Sequence, residues 1–142
     1  MALSAGDRLD LLELVLRADA AASRRDADGY AALFTTDADL EGEEGTHGGR
    51  EALRRSLGSI WATEGPSSVH LTLNAVIAPD SGTPNEVRVD SLLVILSLSP
   101  SPAIFGVFRI EQTAIRAEGA WRIRRRAVHA LEPGPPPRAS GD

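Results

Sequence analysis

The chain has 142 residues, of which 42% are hydrophobic and 25% are charged, a balance typical of one globular domain with its own core. It contains no cysteine, which excludes disulfides and thiolate metal sites, and its net charge of −5 argues against a nucleic-acid-binding surface. No apolar run is long enough to span a bilayer and no signal-peptide pattern is present, so we expect a cytoplasmic protein without membrane partners. All fifteen basic residues are arginine, a coding bias that suggests a bacterial source.

The first element in the chain has the apolar spacing of a helix. Residues 7–23 are predicted to form it, with Asp7 as the cap. Its inward stripe is predicted to contain Leu9, Leu12, Val15 and Leu16, widened by Leu11 and Leu14. Asp19 borders this stripe, and a solvated edge residue is favoured there over a pocket carboxylate.

Two more helices and a loop complete the first half. A short helix capped by Asp26 is predicted to run to about Phe34, a short strand covers 38–41, and a third helix covers 50–62. The glycine-rich loop before the third helix carries three potential metal ligands, namely Glu43, Glu44 and His47. Because the intervening glycines fix no geometry, we expect neither a metal site nor a cofactor.

The second half of the chain is predicted to form a sheet. Over residues 68–76 apolar and polar side chains alternate, which is the periodicity of a β-strand. Three polar residues are therefore expected to share one face of this strand: His70, Thr72 and Asn74. Further strands are predicted over 85–98, 103–117 and 120–131.

The sequence contains no internal repeat and no second domain boundary. Residues 1–132 are predicted to form a single α+β domain. Residues 133–142 are rich in proline and glycine and are expected to be a mobile tail.

The order of these elements resembles the SnoaL-like branch of the NTF2-like superfamily. The residues that carry the resemblance are Arg25-Asp26, 31–38, 49–53, His70 with Asn74, Gly106, and 121–123 with Arg126. The resemblance implies a cone in which three N-terminal helices pack on a strongly curved mixed or antiparallel sheet and enclose a pocket. Fold alone does not determine function within this superfamily.

The resemblance also implies several activities, among them polyketide cyclase, dehydratase and ketosteroid isomerase. The isomerase tyrosine and base carboxylate would fall at Ala18 and Gly42, and a dehydratase Tyr-Asp pair would fall at Ala22-Ser23, so those groups are absent. One dehydratase histidine corresponds to His70, whereas a second would fall near Ser97.

The candidate catalytic residues are His70, Asp90 and Asp19. An imidazole can accept and return a proton near neutral pH, although a structural histidine beside Thr72 remains the alternative. Asp90 lies within an otherwise apolar strand, where it either faces the pocket or pairs outward with an arginine such as Arg88. The candidate ligand-binding residues are Asn74, Thr72, Tyr30, Phe34, Trp61, Phe108 and Glu111. The alternative for the aromatic residues among them is ordinary core packing.

Two functions follow from these patterns. The first is a cofactor-independent cyclase, isomerase or dehydratase that acts on a hydrophobic polycyclic or polyketide-like substrate, with His70 as general acid and base. The second is a non-catalytic ligand-binding or assembly subunit, as the resemblance to small subunits of ring dioxygenases implies. We also expect a homodimer, because the sheet has more apolar side chains than one small core needs. The residues assigned to its exposed face are Leu71, Leu73, Val87, Val89, Leu93 and Ile95.

Overall fold

A computed structural model describes residues 2–42, 48–78 and 85–131. Within these ranges the chain forms three helices: α1 (Ala5–Ser23), α2 (Ala27–Ala31) and α3 (Arg50–Ala62). It also forms five strands: β1 (Phe34–Glu41), β2 (Ser68–Ile77), β3 (Glu86–Ser97), β4 (Ala103–Ala117) and β5 (Ala120–Ala130). The candidate metal loop at 43–47 and the predicted tail at 133–142 lie outside the described residues.

The strands form one mixed sheet in the order β1-β5-β4-β3-β2. β2 to β5 pair antiparallel with their sequence neighbours, whereas β1 pairs parallel with β5. The helices pack on one face of this sheet, and their apolar side chains form the main core together with those of β1, β3, β4 and β5. This arrangement confirms the predicted α+β class. No helix among the described residues is both long enough and apolar enough to cross a bilayer.

Helix α1 begins two residues earlier than predicted, and its N-cap is not Asp7. Ser4 is its N-cap, and Asp7 at the third helical position bonds back to the Ser4 amide and hydroxyl, which forms a capping box. The predicted inward stripe was wrong in part, because Leu9 and Leu16 are exposed. Leu11, Leu14 and Val15 are buried as predicted, and the other buried positions are Ala18, Asp19, Ala21 and Ala22. The buried side of the helix therefore carries three larger apolar side chains, three alanines and one carboxylate.

Helix α2 is shorter than predicted, and β1 is longer. Asp26 caps α2 as expected, by accepting a hydrogen bond from the Gly29 amide. Phe34 is already in β1, where it pairs with Ile123 of β5. The predicted helix to Phe34 was wrong because pairing with β5 determines the backbone of this segment, and local propensity does not.

Strand β3 has the predicted alternation, but the face assigned to solvent was wrong. Val87 and Val89 are buried in the main core, and Leu93 and Ile95 belong to a second buried cluster with Ile110. The helices cover this face. Leu71 and Leu73 of β2 are exposed, as expected for the opposite face.

Irregularities in β2 and β5 change which side chains face inward. The pairing of β2 with β3 shifts between Leu73 and Val76, and Asn74 there has a positive φ of 53°. The pairing of β5 with β4 shifts between Thr113 and Ala114 of β4, and the adjacent Arg124 and Arg125 of β5 are both exposed as a result. Such bulges reverse the alternation of side chains beyond them.

Candidate functional site

A cavity of about 160 Å³ lies between the two buried clusters, bounded by α2, α3 and the inner face of the sheet. Its walls are mainly apolar and aromatic, and they include Leu40, Leu57, Ile60, Trp61, Leu93, Ile95, Phe105, Phe108 and Val128. Six polar side chains also line it: Tyr30, Glu41, Thr63, Glu64, His70 and Arg126. An apolar cavity with a few converging polar groups is the usual form of a small-molecule site.

His70 and Glu64 form a close pair at this cavity. The Nε2 atom of His70 lies 2.7 Å from Oε1 and 2.9 Å from Oε2 of Glu64. The two side chains are only 7% and 5% exposed. A carboxylate only accepts, so Nε2 donates to Glu64, and in the neutral form of an imidazole with this tautomer Nδ1 is the acceptor. This arrangement orients an imidazole for proton transfer.

Neighbouring elements hold this pair in position. The backbone amide of His70 donates to the Ser23 hydroxyl at 2.8 Å, which ties β2 to the end of α1. Arg25 follows α1 and has a left-handed backbone conformation, with φ 56°. Its Nη1 atom lies 3.2 Å from Oε2 of Glu64. Arg25 also donates to the Ser68 hydroxyl at 2.9 Å, and that hydroxyl donates to Glu64 at 3.3 Å. Glu64 thus accepts hydrogen bonds from Arg25 and Ser68 as well as from His70.

A second buried network lies beside the first. Arg126 and Asp19 are each 2% exposed, with 2.5 Å between Nη2 and Oδ1. The Thr72 hydroxyl donates a short hydrogen bond to Asp19, and Arg126 donates to Gln112 at 3.1 Å. The charge of Arg126 is therefore balanced within the protein. A buried charge requires such a partner.

Tyr30 connects this network to the cavity. Its ring packs against Phe34 and Trp61, with centroid distances of 5.2 Å and 5.5 Å, and lies 5.8 Å from the guanidinium carbon of Arg126. Burial raises the pKa of the Tyr30 phenol, and the nearby carboxylates of Asp19 and Glu64 act in the same direction against the opposing charge of Arg126. Tyr30 therefore remains a protonated hydrogen-bond donor at neutral pH.

The cavity brings together some of the candidates and not others. His70, Tyr30, Trp61 and Phe108 line it, and Thr72 faces inward to Asp19. Phe34 is a fully buried core residue outside the lining. Asn74 does not share the face of His70, because the bulge in β2 turns it to solvent.

The carboxylate candidates require larger corrections. Asp90 does not face the cavity, since it lies on the outer face of the sheet and pairs with Arg88 at 2.7 Å. Glu111 lies on the same outer face, 3.6 Å from Arg88 and from Arg109. Asp19 is not a solvated edge residue, because it is buried against Arg126. The outward-pairing alternative for Asp90 is the one that the structure shows.

Sequence reasoning missed Glu64 as the partner of His70. Glu64 follows the last turn of α3 and precedes Gly65-Pro66, so it belongs to no periodic pattern. Arg126 belongs to a run of arginines on a strand, and strand arginines usually face solvent or pair across the surface of the sheet. Its neighbours Arg124 and Arg125 do pair on the surface, with Glu86 and Glu41. Only the bulge in β5 places Arg126 inside.

The site combines a close histidine–carboxylate pair with largely apolar walls. Among the described residues no cluster of histidine and carboxylate side chains has the arrangement of a metal site. The Glu64–His70 pair can take a proton from carbon or oxygen and return it. Apolar walls beside a polar pair strengthen the electrostatic interaction between its members.

The sequence profile of the SnoaL-like domain matches residues 4–127. The chain belongs to the SnoaL-like domain family. Its fold is NTF2-like, as the resemblance in its sequence predicted. No curated protein matches the sequence.

Solved structures support the same fold. A protein of unknown function with a cystatin-like fold from Nostoc punctiforme is 26% identical, with a TM-score of 0.82 over 96% of this chain and 98% of that one. An NTF2-like protein from Novosphingobium aromaticivorans is 20% identical, with a TM-score of 0.76 over 91% and 84% of the two chains. ActVI-ORFA from Streptomyces coelicolor is 17% identical, with a TM-score of 0.74 over 88% and 97%. The last two likenesses concern the fold alone.

Proposed function

We propose that this SnoaL-like domain is a cofactor-independent enzyme that moves a proton next to a carbonyl group of a hydrophobic, polyketide-like substrate. His70 is the general acid and base, and Glu64 orients it. The observation that carries this proposal is the Glu64–His70 pair, 2.7 Å apart and nearly buried, at the polar end of an apolar cavity.

The chemistry follows from the geometry of the pair. Nδ1 of His70 accepts a proton from the carbon beside the carbonyl, and the C–H electron pair passes to the carbonyl oxygen as an enolate. Return of the proton at another carbon gives isomerisation. Transfer of the proton from the imidazolium to a leaving hydroxyl gives dehydration with loss of water. Attack of the enolate on a second carbonyl forms a carbon–carbon bond and an alkoxide, and the alkoxide takes the proton from the imidazolium, which completes cyclisation. Glu64 stabilises the imidazolium that forms in each case.

Proton exchange tests this proposal without knowledge of the natural substrate. We expect the protein to accelerate the exchange of α-protons of cyclohexanone or 2-tetralone in D₂O, measured by NMR. His70→Gln should reduce this rate by about a hundredfold or more, because an amide hydrogen-bonds but does not exchange a proton. Glu64→Gln should reduce it less, because the ring loses its orientation and keeps its basicity in part.

A matched control is available on α3, the helix that precedes Glu64. Glu51 is an exposed carboxylate of α3 that pairs with Arg54, so Glu51→Gln should leave the exchange rate unchanged. Binding of the ketones without any accelerated exchange would contradict the enzyme and favour the ligand-binding alternative. Equal rates for wild type and His70→Gln would exclude His70 as the base.

We also propose that two copies associate through the outer face of β2 and β3. β2 is an edge strand, and Leu71, Leu73 and Val76 are 42%, 46% and 60% exposed on it. Leu92 and Val94 of β3 lie opposite Leu73 and Leu71, so the apolar surface continues across two strands. Apolar surface of this kind is typical of an interface.

Sedimentation velocity at micromolar concentration should show a dimer, and Leu73→Arg should shift it to monomer. A single monomeric species for the wild-type protein would contradict the proposed association. The ketone exchange assay separates this proposal from the enzymatic one, since each has its own readout.

A further inference from the structure

Arg126 has hydrogen-bonding capacity that the protein itself does not use. A guanidinium carries five N–H donors. Within the described residues two of its nitrogens are engaged, Nη1 with Gln112 and Nη2 with Asp19, and the buried Nε has no partner. Arg126 is 2% exposed and lines the cavity. Buried donors are normally satisfied, so a cation with spare donors at a cavity wall is suited to an acceptor atom on a ligand.

The charges around the cavity favour an uncharged ligand. Two cations, Arg25 and Arg126, are each paired with a carboxylate, Glu64 and Asp19. A ligand carboxylate would meet Glu64 and Glu41 of the cavity lining, and Arg126, the one arginine among the described lining residues, is already paired with Asp19. Negative charge that develops on a ligand oxygen during reaction would still be stabilised by the nearby guanidinium.

The size of the cavity limits what it encloses. A cavity of about 150 Å³ lined by apolar side chains takes up one benzene ring. The cavity here is similar, about 160 Å³, and Trp61 and Phe108 give it flat aromatic walls. Phe105 lines it while almost half exposed, so substituents on the ring can extend past Phe105 into solvent.

We propose that the cavity binds one uncharged six-membered ring whose carbonyl or hydroxyl oxygen accepts hydrogen bonds from Arg126 and Tyr30. The ligand class is a cyclic ketone, a cyclic enone or a phenol. Tyr30 supplies the second donor, since this residue lines the same cavity as Arg126. This inference rests on the proposed function and names the groups that hold the oxygen on which the enolate charge would form.

Three ring compounds of matched shape test the ligand class: 4-methylphenol, p-xylene and 4-methylbenzoate. Their dissociation constants are measured by isothermal titration calorimetry. The wild-type protein should bind 4-methylphenol at least about tenfold more tightly than 4-methylbenzoate, the size expected from one unfavourable charge interaction. Tighter binding of the benzoate would overturn the assignment of an uncharged ligand.

Two variants test the oxygen contacts. Tyr30→Phe removes only a hydroxyl and preserves the ring, and Asp19→Asn combined with Arg126→Gln removes both charges of the buried pair together. Each variant should raise the Kd of 4-methylphenol by about tenfold, as expected for loss of a hydrogen bond to a ligand oxygen, and leave the Kd of p-xylene within about twofold. The control is Arg109→Gln on the outer face, which should change neither constant.

The remaining outcomes are also decisive. An unchanged Kd of 4-methylphenol in the Tyr30→Phe protein and the double variant would overturn the assignment of these two donors. An equal loss for p-xylene would show that the variants alter cavity shape and would overturn it as well. These measurements involve no turnover, so failure of ketone exchange with intact phenol selectivity would reject the enzyme alone.

Discussion

Removal of the charge of Asp19 should be among the most destabilising single changes in this protein. The variant Asp19→Asn preserves side-chain size but leaves Arg126, which is 2% exposed, without its counter-charge. Loss of one partner of a buried ion pair costs about 3–5 kcal/mol of unfolding free energy. A solvated edge carboxylate, as the sequence suggested for Asp19, would instead change stability by no more than about 0.5 kcal/mol.

Urea denaturation at neutral pH, followed by tryptophan fluorescence, measures this cost. With a denaturant slope of about 2 kcal/mol/M for a domain of this size, the midpoint should fall by roughly 2 M. The double variant Asp19→Asn with Arg126→Gln should be more stable than Asp19→Asn alone by about 2 kcal/mol of unfolding free energy or more, because no unpaired charge then remains buried. The matched control is Asp28→Asn, since Asp28 is exposed and pairs with Arg54 only at the surface.

Two results would refute this reasoning. One is a change below about 1 kcal/mol for Asp19→Asn, which would place Asp19 in contact with water. The other is a double variant less stable than the single variant, which would show that the two charges do not compensate each other.

Three further predictions concern groups outside that pair. Tyr30 is the only tyrosine, so tyrosinate absorbance reports its ionisation alone. Because burial raises the pKa of Tyr30, the folded protein should show little tyrosinate absorbance at a pH of about 10, where an exposed tyrosine is half ionised. The free energy of unfolding should fall as pH rises beyond that value, because the unfolded chain loses the proton more readily. Hydrogen bonds from Ser4 lower the pKa of Asp7. The ionised Asp7 therefore stabilises the fold above a pH of about 4, and this contribution is lost as pH falls through the lowered pKa. In the Asp7→Asn variant, a plot of unfolding free energy against pH should be flatter on its acid side. In the Gly106→Ala variant the new Cβ would lie 2.7 Å from two ring atoms of Phe108, so this ring, which lines the cavity, must move. Titration calorimetry should then show weaker binding of 4-methylphenol, whereas the melting temperature should change little.

Local sequence determined most of the elements. Helix α3 and strand β4 begin and end where their apolar spacing predicted, because each pattern is complete within its own segment. The order of helices before strands, with the motifs around Arg25-Asp26 and 121–123, was enough to predict the family and its fold. His70 could be singled out because a histidine in a polar row of a half-buried strand is visible from alternation alone.

Only the tertiary structure decided the composition of the site. Alternation predicts which side chains share a face only while the strand is regular, and the bulge in β2 turns Asn74 outward, whereas the bulge in β5 turns Arg126 inward. Asp19 is buried because its partner Arg126 comes from 107 positions later in the chain. Glu64 lies in the irregular segment between α3 and β2, where no periodic pattern predicts the direction of a side chain. The chemistry at this cavity thus depends on long-range pairing of charges, which the sequence of each element does not encode by itself.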